Sequence, residues 1–269
     1  MKKTLSILYL VGIHALLLIV LTKSNFIEKV EMKLGITEPP LTGHSYYMDA
    51  LGRYFENRSN TTVSGDGIIF VGDSITNGLS VETIFGAVNY GISGDSVKNA
   101  KERVKKYTHL EDKTIIIALG VNDIPRENDA IASDYRSLIE CLPSSSLVLV
   151  SSVLPLDEPR FENHWKSEKK NEQIKELNLR LENLALEFPN ARYIDSARYM
   201  RDASGSLPES FHKGDGIHPN TSGYEMWVKG LREEFKRIVE RQSEARRKAR
   251  LTLTLAKKTN LLTSPTFGI

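Results

Sequence analysis

The stretch "IIFVGDSITNG", residues 68–78, joins an apolar run to a Gly-Asp-Ser turn and then to polar residues. Four consecutive apolar residues suit a parallel strand that is buried on both faces. Ser74 follows the turn directly, where a serine is either an ordinary helix cap or a nucleophile held at the end of a strand. The choice depends on whether the rest of the chain supplies a base, an orienting acid and donors for an oxyanion.

Similar Val- and Ile-rich runs follow and alternate with stretches that have helical character. The strand candidates are residues 67–72, 87–92, 114–120, 147–154 and 191–195, and the helix candidates are 96–107, 129–142, 166–187 and 220–245. Alternating β and α segments predict an α/β fold, a three-layer α/β/α sandwich with a parallel sheet. Open parallel sheets bind ligands beyond the carboxyl ends of their strands, so we expect the functional residues at that rim.

Glycines and polar residues collect where the predicted strands end. The first strand runs into "GDS", the second into "GISGD" (91–95) and the third into "GVND" (120–123), while "DGIHP" (215–219) precedes the last helix. Each motif alone has an ordinary structural explanation as a turn or a cap. Their occurrence in this order at successive strand ends favours a shared site.

The residues at this rim fit the roles of acyl-transfer chemistry. A serine hydroxyl needs an adjacent base, and the base needs an acid that fixes its tautomer. His218 and Asp215 lie on one loop and suit these two roles beside Ser74. The backbone amides of Ser74 and Gly94 and the side-chain amide of Asn122 are candidate oxyanion donors.

Other chemistry-bearing motifs are missing from the sequence. It contains no G-x-G-x-x-G, no phosphate-binding G-x-x-x-x-G-K-[ST], no G-x-S-x-G and no H-E-x-x-H. The six histidines are scattered along the chain, so we expect no metal site. The 36 Lys and Arg residues nearly balance the 34 Asp and Glu residues, and we expect no nucleic-acid partner.

The four motifs resemble, in order, the sequence blocks of the SGNH (GDSL-type) serine hydrolases, over about residues 67–233. The resemblance implies a flavodoxin-like parallel sheet and no required cofactor. It assigns Ser74, Asp215 and His218 to a catalytic triad, and Ser74, Gly94 and Asn122 to an oxyanion hole. The stretches "SVLPL" (152–156) and "DGIHPNTSGYEMW" (215–227) look most like the acetylhydrolase branch of the family.

The resemblance favours a serine esterase that removes short acyl groups, chiefly acetyl, from a carbohydrate or lipid. The alternatives are a lysophospholipase or thioesterase for longer chains, an acyltransferase acting on envelope glycan, and a non-catalytic binding protein. Five residues are candidates for substrate binding: Asp73 and, after the fourth strand, Arg160, Phe161, His164 and Trp165. A solvated loop leading into a helix is the alternative for that later stretch.

The two ends of the chain lie outside the resemblance. An uncharged run, "TLSILYLVGIHALLLIVLT", follows Lys2 and Lys3 and approaches the length of about 20 residues that spans a bilayer. Residues 1–23 therefore predict an uncleaved signal anchor, with a cleaved signal or a buried helix as alternatives. The anchor implies a membrane-anchored, single-pass protein. Lysines flank both sides of the run and leave its orientation open, and an extracytoplasmic catalytic domain is the general expectation for an N-terminal anchor.

The domain prediction has four parts. An anchor (1–23) precedes a linker with a short helix (24–66), the hydrolase domain (67–240) and a basic, flexible tail (241–269). Between residues 241 and 258 the tail carries seven basic residues and one acid, Glu244. Such a segment is either a solvated helix end or a contact for anionic lipid.

Overall fold

The computed structural model describes residues 9–10, 12–15, 67–161 and 170–262. The chain divides into two units, Met1–Ser45 and Tyr46–Ile269. In the first unit the described residues are helical, and the account below concerns the second unit. The predicted anchor lies mostly outside the described residues and stays a prediction, as do the domain boundaries. Among the helices that the structure describes, none is long and apolar enough to cross a membrane.

Five parallel strands form the central sheet in the order β2-β1-β3-β4-β5. Their bounds are β1 Ile68–Gly72, β2 Val88–Gly91, β3 Thr114–Ala118, β4 Leu147–Ser151 and β5 Ala191–Ile194. Ile69, Phe70 and Val71 are all buried, as expected for a strand covered on both faces. All five predicted strands are confirmed, and the order is the flavodoxin-like one that the resemblance implied.

Seven α-helices, numbered from Ser74 onward, connect and cover the strands within the described part of the second unit. They are α1 Ser74–Asn77, α2 Val81–Phe85, α3 Val97–Val104, α4 Asn128–Glu140, α5 Glu158–Phe161, α6 Lys170–Leu186 and α7 Thr221–Leu262. The predicted end of the last helix at residue 245 is corrected, because α7 continues to Leu262 through most of the segment expected to be a flexible tail.

The helices form two contacting groups. In one group α3 contacts α4 and α4 contacts α6. In the other, α2 meets α7 through Phe85 and Phe235, whose ring centroids lie 5.5 Å apart. Because parallel crossovers are right-handed and the strand order reverses at β1, these groups cover opposite faces of the sheet. The sheet thus lies between two helical layers.

The strand register decides which loops meet at the rim. Gly72 at the end of β1 pairs with Gly91 of β2 on one side and with Ala118 of β3 on the other. The chain segments that follow these three strands therefore leave the sheet side by side. This brings "GDS", "GISGD" and "GVND" together at the switch point of the strand order, where open α/β sheets bind ligands.

Candidate active site

The turn after β1 fixes the position of Ser74. Asp73 has an extended backbone and caps α1, because its carboxylate accepts the N–H of Ile75 at 2.9 Å. Ser74 is the first residue of that short helix and is partly exposed. The hydroxyl of Tyr224 in α7 donates to the carbonyl of Ile75 at 2.9 Å and ties the turn to the long helix.

A chain of two short hydrogen bonds links Ser74 to the loop before α7. The Oγ atom of Ser74 lies 2.8 Å from Nε2 of His218. Nδ1 of the same ring lies 2.7 Å from Oδ2 of Asp215, and both of these side chains are 36% exposed. The residues are 144 positions apart in the chain for the first contact and three apart for the second. The structure therefore brings together the three residues predicted as a triad.

The acid determines the direction of proton donation along this chain. An ionised carboxylate only accepts hydrogen bonds, so Nδ1 of His218 carries the ring proton that points at Asp215. In the neutral ring Nε2 is then unprotonated and accepts the hydrogen bond of the Ser74 hydroxyl. The neutral ring is in the tautomer that a general base requires.

The carboxylate of Asp215 is held in its ionised form. Partial burial raises the pKa of Asp215, but the N–H groups of His218 and Ile217 and the imidazole of His218 together lower it below its ordinary value of 3.8. The two backbone donors lie 2.9 and 3.0 Å from Oδ1. At neutral pH this acid is charged and can stabilise a protonated His218.

The predicted oxyanion donors follow the three adjacent strands β1, β2 and β3. Within the described residues, neither the amide of Ser74 nor that of Gly94 has a hydrogen-bond acceptor. Gly94 has a φ of 75°, a conformation that glycine adopts without strain. The side-chain amide of Asn122 donates to the carbonyl of Asp95 at 2.9 Å, which ties the third loop to the second. An amide has two N–H bonds, so one remains for a ligand.

Asp73, a predicted substrate contact, is a buried helix cap in the structure. The residue is 2% exposed, and its side chain serves as the cap of α1. Burial raises the pKa of Asp73 to about 7, an effect that the hydrogen bond from Ile75 offsets only in part. The structure shows the carboxyl in a capping role, and a contact of Asp73 with substrate stays a prediction.

Two of the other candidates for substrate binding, Arg160 and Phe161, belong to α5. Phe161 is buried, whereas Arg160 is exposed and pairs with Glu209. Both lie against the triad loop, since a Cβ added to Gly216 would meet Cβ of Arg160 and the backbone nitrogen of Phe161 at 3.0 Å each. Two further candidates, His164 and Trp165, lie outside the described residues, and their role stays a prediction.

With this geometry established, comparison with known proteins identifies the family. A model of the GDSL-like lipase/acylhydrolase family matches residues 70–226, more than half of the chain. The chain belongs to this family. The acylhydrolase is 23% identical over 189 residues to platelet-activating factor acetylhydrolase IB subunit alpha2 of Homo sapiens, a match that covers 66% of this chain and 79% of the relative.

Solved structures of bacterial proteins share the fold. A GDSL-like lipase from Bacteroides thetaiotaomicron matches with a TM-score of 0.61 at 20% identity, covering 70% of this chain and 98% of the other. A member of the lipolytic G-D-S-L family from Veillonella parvula matches with a TM-score of 0.54 at 23% identity, covering 64% and 100% of the two chains. These similarities support the α/β fold of the acylhydrolase.

Sequence reasoning missed a buried ion pair beneath the rim of the acylhydrolase. Nε of Arg103 donates to Asp95 at 2.7 Å, and Nη2 donates to the carbonyl of Gly72 at 3.2 Å. The side chain thereby joins the loop after β2 to the end of β1. Arg103 lies on the buried face of α3 together with Ala100 and Val104. A charged residue on an otherwise apolar helix face was the sequence signal that could have indicated a buried ion pair.

A second histidine near the triad was also missed. His212 is buried and contacts Asp157, which precedes α5. The two residues are 55 positions apart in the chain, so no local pattern indicates their contact.

Proposed function

We propose that this acylhydrolase cleaves short acyl esters, chiefly acetyl esters of a carbohydrate or lipid, with Ser74 as the nucleophile. The observation that carries the proposal is the continuous hydrogen-bond chain from Ser74 through His218 to Asp215. A serine hydroxyl becomes a competent nucleophile when a neutral imidazole accepts its proton. The polarity of the chain, with Nε2 free to accept, supports this role for His218.

In the first half-reaction, Oγ of Ser74 forms a bond to the acyl carbon while its proton passes to Nε2 of His218. Asp215 stabilises the resulting imidazolium through the hydrogen bond to Nδ1. The carbonyl oxygen becomes an oxyanion that accepts hydrogen bonds from the Ser74 and Gly94 amides and from Asn122. The ester C–O bond then breaks, and the departing alkoxide takes the proton from His218, which leaves an acyl-serine.

In the second half-reaction, water replaces the alcohol. His218, again neutral, accepts a proton from water as its oxygen attacks the acyl carbon. The same donors stabilise the second oxyanion, and collapse of this intermediate breaks the bond to Oγ. Oγ recovers its proton from His218, the carboxylic acid is released, and the enzyme returns to its starting state.

The preference for a short acyl group is supported by similarity. The stretches at 152–156 and 215–227 look like the acetylhydrolase branch, and a relative at 23% identity is a platelet-activating factor acetylhydrolase subunit. Such a preference concerns the acyl side of the ester. The test below varies the acyl group and holds the alcohol side of the ester constant.

A chain-length series of p-nitrophenyl esters, from acetyl to palmitoyl, tests the proposal with the full-length protein. Ser74→Ala removes the nucleophile, and Ser80→Ala is the matched control, because Ser80 is exposed and its side chain makes no cap hydrogen bond. We expect turnover confined to acetyl and propionyl esters in the wild type and in Ser80→Ala, and none above background in Ser74→Ala.

Other outcomes redirect the proposal. Turnover that peaks at long chains contradicts the short-acyl preference and supports a lysophospholipase or thioesterase. Acyl transfer to an added glycan in place of hydrolysis supports a transferase. Equal turnover by pure Ser74→Ala and wild type would overturn the nucleophile assignment.

A further inference from the structure

The loop that carries the triad acid and base is built around the buried imidazole of His212. Its Nδ1 accepts the N–H of Gly214 at 3.0 Å and the N–H of Gly216 at 3.1 Å. These two amides belong to the residues on either side of Asp215. A single ring nitrogen therefore holds the backbone on both sides of the triad acid.

The donors around His212 fix its tautomer. Because two N–H groups point at Nδ1, this nitrogen carries a lone pair, and the ring proton of the neutral form lies on Nε2. Nε2 donates in turn to Oδ2 of Asp157 at 3.0 Å. The side chain of His212 is 0% exposed, so solvent does not compete for either nitrogen.

Asp157 holds the same loop through its backbone. Its N–H donates to the carbonyl of Gly216 at 2.9 Å. Gly216 has a φ of 78°, and a Cβ at this position would lie 2.7 Å from the carbonyl oxygen of Asp157. The loop thus packs closely against Asp157, and only glycine fits at position 216 without strain.

An antiparallel contact closes the base of the loop. His212 forms an isolated bridge with Pro219, and the N–H of Lys213 donates to the carbonyl of His218 at 2.9 Å. The side-chain amide of Asn220 donates to the carbonyl of His212 at 3.1 Å. Backbone contacts therefore join the two ends of the segment that carries Asp215 and His218. Within the segment, the imidazole of His212 binds the backbone.

We infer that His212 is a positioning residue for the triad, which acts by holding Asp215 through the Gly214 and Gly216 amides. This role rests on the proposed function of the triad. His212 does not touch the reacting atoms, and its contribution is to keep Asp215 within hydrogen-bond distance of His218. Misplacement of a reacting group by about 1 Å costs on the order of 100-fold in rate, which sets the scale of the expected effect.

Three substitutions separate the two hydrogen-bonding roles of the ring. His212→Asn places an acceptor oxygen near the position of Nδ1 and loses the reach to Asp157. His212→Gln reaches toward Asp157 and lacks the acceptor at the Nδ1 position, and His212→Leu removes both functions. His109→Asn, at an exposed histidine, is the control for loss of an imidazole.

We expect His212→Leu and His212→Gln to lower kcat for p-nitrophenyl acetate by about 100-fold with KM changed less than about threefold. The kcat of His212→Asn should lie within about tenfold of the wild-type value. Of the three variants, only His212→Asn should keep the slow amide exchange of the wild type at Gly214 and Gly216. Wild-type kcat in a folded His212→Leu, or losses in Asn and Gln that merely follow their thermal stability, would overturn the inference.

A nitrogen-15 NMR measurement of ring tautomers separates this inference from the proposed function. His212 should be protonated on Nε2 and His218 on Nδ1, two opposite tautomers on one loop. Protonation of His212 on Nδ1 overturns the inference whatever the activity. If the wild type fails to hydrolyse any ester, the proposed function falls, and the tautomer of His212 still decides its hydrogen-bonding role.

Discussion

Two histidines within seven residues of each other, His212 and His218, each pair with an aspartate, and the two pairs differ in burial and polarity. The pair of His218 and Asp215 is 36% exposed on both side chains, whereas the His212 side chain is fully buried. His218 donates to its acid through Nδ1, and His212 donates through Nε2. The remaining nitrogen of His218 accepts a hydroxyl, and that of His212 accepts two backbone amides.

This difference separates a reacting imidazole from a structural one. The Ser74 hydroxyl can lose its proton to His218, because Asp215 stabilises the imidazolium that forms in the transition state. Backbone amides do not release their protons, so the lone pair on Nδ1 of His212 only accepts hydrogen bonds that hold the loop. Of the two histidines, His218 therefore takes part in the reaction, and His212 holds the loop in position.

Removing the charge of one acid from each pair gives the largest expected contrast. Asp215→Asn should lower kcat by about 10²–10⁴-fold, since the amide no longer stabilises the correct tautomer and the imidazolium of His218. Asp157→Asn should lower kcat by less than about tenfold, because the His212 contacts to the backbone remain. Steady-state kinetics with p-nitrophenyl acetate measure both variants, and equal losses would contradict the division of roles.

Truncation of Asn122, the predicted side-chain oxyanion donor, tests a group that belongs to neither histidine–aspartate pair. Asn122→Ala should lower kcat by about 10²–10³-fold with a smaller change in KM, since the lost hydrogen bond forms chiefly in the transition state. Asn183→Ala, at an exposed position of α6, is the control. A rise in KM with unchanged kcat would show that Asn122 binds the substrate instead of the oxyanion.

Asp73 is a buried polar group whose ionisation should make the stability of the protein depend on pH. Burial raises its pKa to about 7 in the folded protein, while the ordinary value is 3.8. Between these values the folded state binds more protons than the unfolded state, so the free energy of unfolding falls as pH rises. Asp73→Asn keeps an acceptor for the N–H of Ile75 and removes the titration.

The expected signature is a difference in slope between two proteins. From pH 5 to 6.5, the unfolding free energy of the wild type should fall by up to about 1.4 kcal/mol per pH unit relative to Asp73→Asn. Urea unfolding at several pH values measures this difference. Asp112→Asn, which removes one exposed carboxylate, is the control. Parallel pH profiles for the wild type and Asp73→Asn would mean that the buried carboxyl is ionised throughout.

The sequence predicted the sheet and the reacting residues because their signals are local. Each strand is a continuous apolar run, and the carboxyl ends of parallel strands meet at one rim, so the order of the motifs predicts their proximity. The contact of Ser74 with His218 spans 144 positions, and it was predictable because each residue lies in a recognisable motif. The short helix α1 was not predicted, since four residues carry no helical period.

The supporting residues were not predictable, because their partners are distant and carry no motif. Arg103 binds the carbonyl of Gly72, 31 positions away, and His212 binds Asp157, 55 positions away. The capping role of Asp73 was likewise not predicted from the sequence, which placed this residue among the candidates for substrate binding. In a strand-to-helix turn, however, the residue before the helix turns its carboxylate to the backbone as a cap.

The most direct measurement is intact-protein mass spectrometry after treatment with a fluorophosphonate, followed by mapping of the modified residue. The wild type should gain one phosphonyl group on Ser74, and Ser80→Ala should be labelled at the same rate. Ser74→Ala should gain none, and His218→Ala should react at least about 100-fold more slowly, because the hydroxyl then lacks its base. Labelling at another residue, or undiminished labelling of Ser74→Ala, would contradict the assignment of Ser74 as the nucleophile.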